Sequence, residues 1–369
     1  MEKSFRMELA GRPLIVETGK MAKQASGAVL VRYGETVVLV TSTASKEARE
    51  GMDFFPLTVD YEEKMYAVGK MPGGFLRREG RPGNSAILNA RLIDRPIRPL
   101  FDKRCRNDIH VMATVLSVDY DNAPELCGML GASASLGISD IPWDGPIAGV
   151  RVGRVDGKFV INPTQEQLKV STLNITVAGS ETAILMVEGG AQEAPEEDVL
   201  DAIMFGHETI KELVAFQKKI IEEVGKLKRI LIFPEIPEEI KTAIYAYAER
   251  PLKEAIFNPD KLTREAHMEE VRKEAEAHFK EIYPENGSDI AECLNHLTKE
   301  IVRHMISVDK IRPDGRALDE IRPISCEVGL LPRVHGSALF TRGQTQALTI
   351  TTLAPMSETQ IIDDLTQET

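Results

Sequence analysis

The strongest constraint on this chain is that it begins to repeat itself. The segment GRPLIVETGKMAKQASGAVLVRYGETVVLVTS (11–42) overlays IRPISCEVGLLPRVHGSALFTRGQTQALTITT (321–352). At an offset of 310, Arg12, Pro13, Glu17, Gly19, Ala28 and Arg32 fall on Arg322, Pro323, Glu327, Gly329, Ala338 and Arg342. A one-residue gap at Tyr33 then brings Gly34, Thr36 and Leu39 onto Gly343, Thr345 and Leu348. Whatever fold the first segment takes, the second must start again, which implies duplication of a domain with other material inserted between the copies. Only 59 residues follow Lys310, so the chain is expected to stop within the second copy.

Alternation and β-branched runs place strands at 5–9, 14–17, 28–32, 36–43, 109–118, 147–152, 158–161, 173–177 and 183–188, joined by Gly-containing turns. A run of small and apolar residues at 124–139 predicts a buried helix, and 195–224 an amphipathic one begun by acids. The fold class is therefore α/β (α+β), with mixed sheets and helices in one domain over 1–228. Composition changes next: 233–308 holds three helical patterns. Pro237 with Glu238 and Glu239 starts the first helix and Pro251 interrupts it. The second repeats Met268, Val271, Ala275, Phe279 and Ile282, and the third aligns Ile290, Leu294, Leu297, Ile301 and Met305 on one face. An all-helical linker domain over 229–310, packed as an antiparallel pair, follows from these periods. The truncated second copy occupies 311–369.

Charge then points to a ligand. Residues 70–106, KMPGGFLRREGRPGNSAILNARLIDRPIRPLFDKRCR, hold ten Lys or Arg against three acids, a balance of +7 in a chain whose total is -12. A cationic island on an anionic body suits a polyanion, which the rest of the surface repels. A solvated basic face is the alternative, and three details weigh against it. Pro72, Gly73 and Gly74 open a loop that Gly80, Pro82 and Gly83 close, so 75–81 should project. Phe75 beside Arg77, Arg78 and Arg81 combines a ring that stacks on bases with guanidinium groups that fork onto phosphates, the means of gripping single-stranded nucleic acid. Asn84 or Ser85 can cap a helix that sets Arg91 and Arg95 one turn apart before Pro96 ends it, with Arg98 just beyond, so this secondary basic surface should continue behind the loop.

Other classes fall away. No apolar run is long enough to span a membrane, and MEKSFRMELAG lacks the build of a signal peptide, so a cytoplasmic protein is expected. Cys105, Cys127, Cys293 and Cys326 fit neither a zinc site nor a disulfide framework, and His296 with His304 reads as packing or surface. A P-loop is excluded, since Lys64 stands where its first Gly belongs and Met71 where its hydroxyl belongs.

The basic loop, the duplication and the helical insert together closely resemble the polynucleotide phosphorylase family over the whole chain, through SFRMELAGRPLIVETGKMAKQASGAVLVRYGETVVLVT, GGFLRREGRP and LFTRGQTQAL. The resemblance implies two RNase PH-like cores joined by the helical domain, in a homotrimeric ring. It implies a phosphorolytic 3'-to-5' exoribonuclease of mRNA turnover, a polyribonucleotide nucleotidyltransferase that converts single-stranded RNA and inorganic phosphate to nucleoside diphosphates, with a possible tie to RNA-degradation machinery. It makes Phe75, Leu76, Arg77, Arg78 and Arg81 the channel loop that grips RNA, Leu76 standing where the family often has a second Phe. Magnesium and the catalytic residues belong to the second core, outside this chain. At the matching positions the first core offers Asn174 and Thr176 for an Asp and a Lys, and Ala123, Pro124 and Glu125 for phosphate-holding serines. Glu125 would repel phosphate, so the first core is expected to be catalytically silent and to carry RNA. A noncatalytic RNA-binding or ring-scaffold module is the competing reading.

Overall fold

The computed structural model describes residues 2–48, 54–73, 75, 77–231, 236–359 and 365. They fall into two compact units, 1–233 with 361–369, and 234–360.

The first unit is built on the predicted alternation. Strands β1 (Lys3–Leu9), β2 (Arg12–Thr18), β3 (Gly27–Tyr33), β4 (Thr36–Ala48) and β5 (Leu57–Glu63) precede helix α1 (Asn84–Ile97), and β6 (Asn107–Ser117) follows it. They form one sheet in the order β1-β2-β3-β4-β6-β5, antiparallel except for β5 beside β6. Val29, Val31, Val38 and Val40 are buried on one face. Helix α2 (Pro124–Ile138) covers β3 and β4, and its small residues let it come close. A Cβ on Gly131 would lie 2.4 Å from Val40 Cγ2, and one on Gly27 of β3 would lie 2.0 Å from the Ser135 carbonyl oxygen. The helix's polar side chains are satisfied inside: the Ser42 and Ser135 hydroxyls share a 2.5 Å bond, and Ser133 Oγ accepts from the Ile147 amide at 2.9 Å.

A second, antiparallel sheet packs against α2 through its central strand. Its strands are β7 (Ala148–Val155), β8 (Lys158–Ile161), β9 (Leu173–Gly179) and β10 (Ile184–Ala191), in the order β10-β9-β7-β8. Helix α3 (Gln165–Val170) joins β8 to β9, and α4 (Glu196–Val224) crosses the sheet. Buried Ile and Leu such as Leu14, Ile93, Ile109, Leu136, Ile147 and Ile210 each contribute roughly 1.5–3 kcal/mol of transfer free energy to this core. Two elements escape the sequence periods. Strand β5 is an edge whose Asp60, Glu62 and Glu63 mask its apolar positions, and α3 is a short helix opened by a Thr164–Gln167 capping box.

The second unit begins with α5 (Glu238–Ile256), α6 (Lys261–Ile282) and α7 (Gly287–Ser307). They form a three-helix cluster in which α5 packs on both others, where the sequence suggested a pair. All five residues predicted for the inner face of α7 are buried. Neither proline behaves as predicted. Pro251 lies inside α5 without ending it, because Ala248, Leu252, Ala255 and Ile256 are buried on both sides and outweigh the roughly 3 kcal/mol cost of the lost bond and clash. Pro96 also lies inside α1, which ends one residue later.

The unit closes with β11 (Ile324–Val328), β12 (Gly336–Arg342) and β13 (Thr345–Thr351), an antiparallel sheet that repeats β2-β3-β4. Gly34 donates to the Pro13 carbonyl and Gly343 to that of Pro323, with φ of 59° and 61° at the two glycines. The register corrects the sequence alignment. Leu14 pairs with Tyr33 and Ile324 with Arg342, while Gly27 pairs with Ser42 and Gly336 with Thr351. The missing residue therefore lies in the loop after Gly19, not at Tyr33. Gly27 matches Gly336, and Arg32 matches Thr341 rather than Arg342. A loop absorbs a deletion, whereas a slip within a ladder would turn every side chain to the other face.

Candidate nucleic-acid interface

The basic loop is mounted on a rigid stem. Its first limb is a 3-10 turn, Met65–Val68, whose Met65 and Ala67 are buried. The Ala67 carbonyl accepts from the Val118 amide just beyond β6, and Gly69, at φ 73°, turns the chain so that the Lys70 amide reaches the Met65 carbonyl. The returning limb enters α1, where Ala86 is buried. Gly83 occupies the N-cap position expected of Asn84 or Ser85, and the Ser85 hydroxyl donates to Glu63 Oε1 at 3.1 Å instead.

Phe75 is 100% exposed at the tip. Arg77, Arg78 and Arg81 are exposed too, and make no hydrogen bond or ion pair among the described residues. Arg77 holds φ 52° and Gly80 φ 50°, so the tip turns sharply twice. Leu76 and Gly74 lie outside the described residues. Unpaired guanidinium groups keep all five donors available for phosphate.

Behind the tip several cations are spoken for. Arg98 grips Asp94 with two bonds of 2.7 and 2.8 Å and also donates to the Leu57 carbonyl. Arg95 is ion-paired with Glu188 of β10, a partner no local reading could supply. Arg104 pairs with Asp102, whose carboxyl these bonds hold down at about 2. Of the secondary basic surface, Arg91 is exposed without an ion pair among the described residues, while Arg95 and Arg98 are neutralised. Of the window's ten cations, the three at the tip, Arg77, Arg78 and Arg81, are thus exposed without a partner among the described residues.

The chemical positions look different. Asn174 lies exposed on β9 and Thr176 is nearly buried. Glu125, in the first turn of α2, does not stand as a free charge: it meets Arg151 of β7 at 2.5 Å, both side chains largely covered. Burial, followed by Glu125 and Glu63, pushes the Tyr61 hydroxyl well above its usual range. Among the described residues no group of three or more His, Cys, Asp or Glu is placed to hold a metal ion, and no helix is long and apolar enough to cross a membrane. Cys105, Cys127 and Cys293 are buried thiols, and Cys326 is exposed.

Family models divide the chain in the same order. The model of domain 1 of the 3' exoribonuclease family matches 10–142 and again 320–367, and that of domain 2 matches 145–209. A model described as polyribonucleotide nucleotidyltransferase, RNA binding domain, matches 239–317. The chain is 58% identical over 361 residues to a polyribonucleotide nucleotidyltransferase of Heliobacterium modesticaldum, covering 98% of this chain and 51% of the relative. It is 56% identical over 366 residues to the Geobacillus kaustophilus protein of the same name, covering 99% and 50%. The chain thus spans about half the length of these curated relatives. A crystal structure of rice Rrp46 aligns with a TM-score of 0.45 at 14% identity, over 60% of this chain and 94% of that one.

Proposed function

The chain belongs to the 3' exoribonuclease family, and from that premise we propose that it supplies the RNA-gripping, catalytically silent core of a phosphorolytic 3'-to-5' exoribonuclease. The substrates are single-stranded RNA and inorganic phosphate, the products nucleoside diphosphates, the setting mRNA turnover in the cytoplasm. One observation carries the reading: a fully exposed Phe75 stands among arginines that no described residue neutralises. Such a tip stacks on bases and forks onto phosphates without reading sequence.

Phosphate attack on a phosphodiester needs a cation to offset anionic repulsion and an acid for the leaving 3' oxygen. Asn174, Thr176 and Pro124 offer neither, and Glu125 is engaged by Arg151. The residues present do not fit magnesium, so we assign the metal and the bond-breaking groups to the remainder of the second core, in the half of the relatives' length that this chain does not span. The family likeness supports a homotrimeric ring and docking to RNA-degradation partners. In the helical unit, residues 238–307 hold ten Lys or Arg against fifteen Asp or Glu, so we place the RNA grip on the loop.

Titrating poly(A) at several salt concentrations tests this. Arg77→Ala with Arg78→Ala should weaken binding at least tenfold and lower the log–log salt slope by about 1 per lost phosphate contact. Unchanged binding refutes the loop assignment, and phosphate-dependent release of nucleoside diphosphates by the 369-residue chain alone refutes the silent one.

A further inference from the structure

Beneath the fingertip lies a groove of about 310 Å³, bounded by Glu62, Lys64, Arg78, Glu79 and Arg81, with Met65, Pro72, Pro82 and Ala86 among its lining residues. Its volume sits at the lower end of the ~300–1,000 Å³ typical of small-ligand sites, room for one nucleoside rather than a length of strand. Its charge is mixed, with Glu62, Glu63 and Glu79 facing Lys64, Arg78 and Arg81 among its lining residues. Glu62 is bound to Lys64 at 2.6 Å through Oε2, and that bond raises the lysine's pKa. Glu79 is exposed and makes no hydrogen bond among the described residues.

A carboxylate is a poor neighbour for phosphate and a strong acceptor for hydroxyl and amino donors. Arginines at the rim of the same groove are the reverse. Resting on the loop's assignment to RNA, we propose that this groove holds one nucleoside of the bound strand. Glu79, with Glu62 beside it, accepts from the ribose 2'-hydroxyl, while Arg78 and Arg81 take the flanking phosphates. The 2'-hydroxyl is the group by which a protein tells RNA from DNA at a given position. The loop would therefore select the sugar, a task that stacking and phosphate contacts leave open.

The test is binding of the full chain to oligoadenylate and to oligodeoxyadenylate of equal length, in EDTA so that no metal bridges carboxylate to phosphate. Wild type should prefer the ribo-oligomer by about tenfold, the worth of one hydrogen bond to a charged acceptor. Glu79→Ala should bring the two affinities together by weakening RNA, with DNA binding unchanged or tightened as a repelling charge is removed. Glu62→Ala should narrow the gap in the same sense. Equal binding by wild type, or a preference that survives both variants, overturns the proposal while leaving the loop as an RNA grip. Failure of wild type to bind either oligomer overturns the loop reading itself.

Discussion

Glu125 and Arg151 carry opposite charges at a site where the side chains are only 12% and 21% exposed. Arg151 Nε is buried without a partner among the described residues, so the carboxylate is the main compensation for that guanidinium. Glu125→Ala should lower stability by about 2–3 kcal/mol, whereas Glu125→Ala with Arg151→Met should lie closer to wild type, because breaking a covered pair costs more than replacing it with apolar packing. Thermal unfolding of the three proteins decides the point. The same pair marks a boundary of what residues alone reveal. That Glu125 is no phosphate-holding serine is plain from the sequence, whereas the Arg98–Asp94 pair, at helical spacing, was hidden by the stop expected at Pro96. That Glu125 is matched by Arg151, or Arg95 by Glu188 at a separation of 93 residues, depends on strands delivered by the fold.

Helices and strands were legible where their period was clean, as in α4, α7 and β1 to β4, and hidden where charge or proline broke the pattern. Asp260 shows how one cap joins two elements: Oδ1 accepts from the Thr263 amide at the start of α6, and Oδ2 from Gln344 in the turn between β12 and β13. Bonds from Thr263, followed by Gln344, hold this carboxyl at about 2, below its ordinary 3.8. A depressed carboxyl contributes stability that is present above the unfolded value and lost as pH falls through the folded one. Wild type should therefore lose this contribution between about pH 4 and pH 2. Asp260→Asn, which keeps an acceptor but no charge, should unfold more readily above that window and converge with wild type at its lower end, as followed by circular dichroism.

Across the whole molecule, charge separates the tip from the rest. Two exposed cations of the helical unit already have local partners, Arg250 with Glu254 and Lys273 with Glu269. Arg250→Glu with Lys273→Glu should leave poly(A) affinity within about twofold, whereas Arg78→Glu should abolish most of it, since only an unmatched cation releases counterions on binding. Fluorescence anisotropy measures both, and a large loss from the helical pair would move part of the grip there. Duplication was visible in the sequence because Gly34 and Gly343 must both take a left-handed turn, while its true register was not, because a shortened loop leaves no mark on hydrophobic alternation. The stem beneath Phe75 has a mechanical meaning. Since Ala67 is tied to Val118 and the other limb runs straight into α1, both limbs are anchored in the framework of the first unit, so on the proposed reading a strand pulling on Phe75 would load β6 and α1 together.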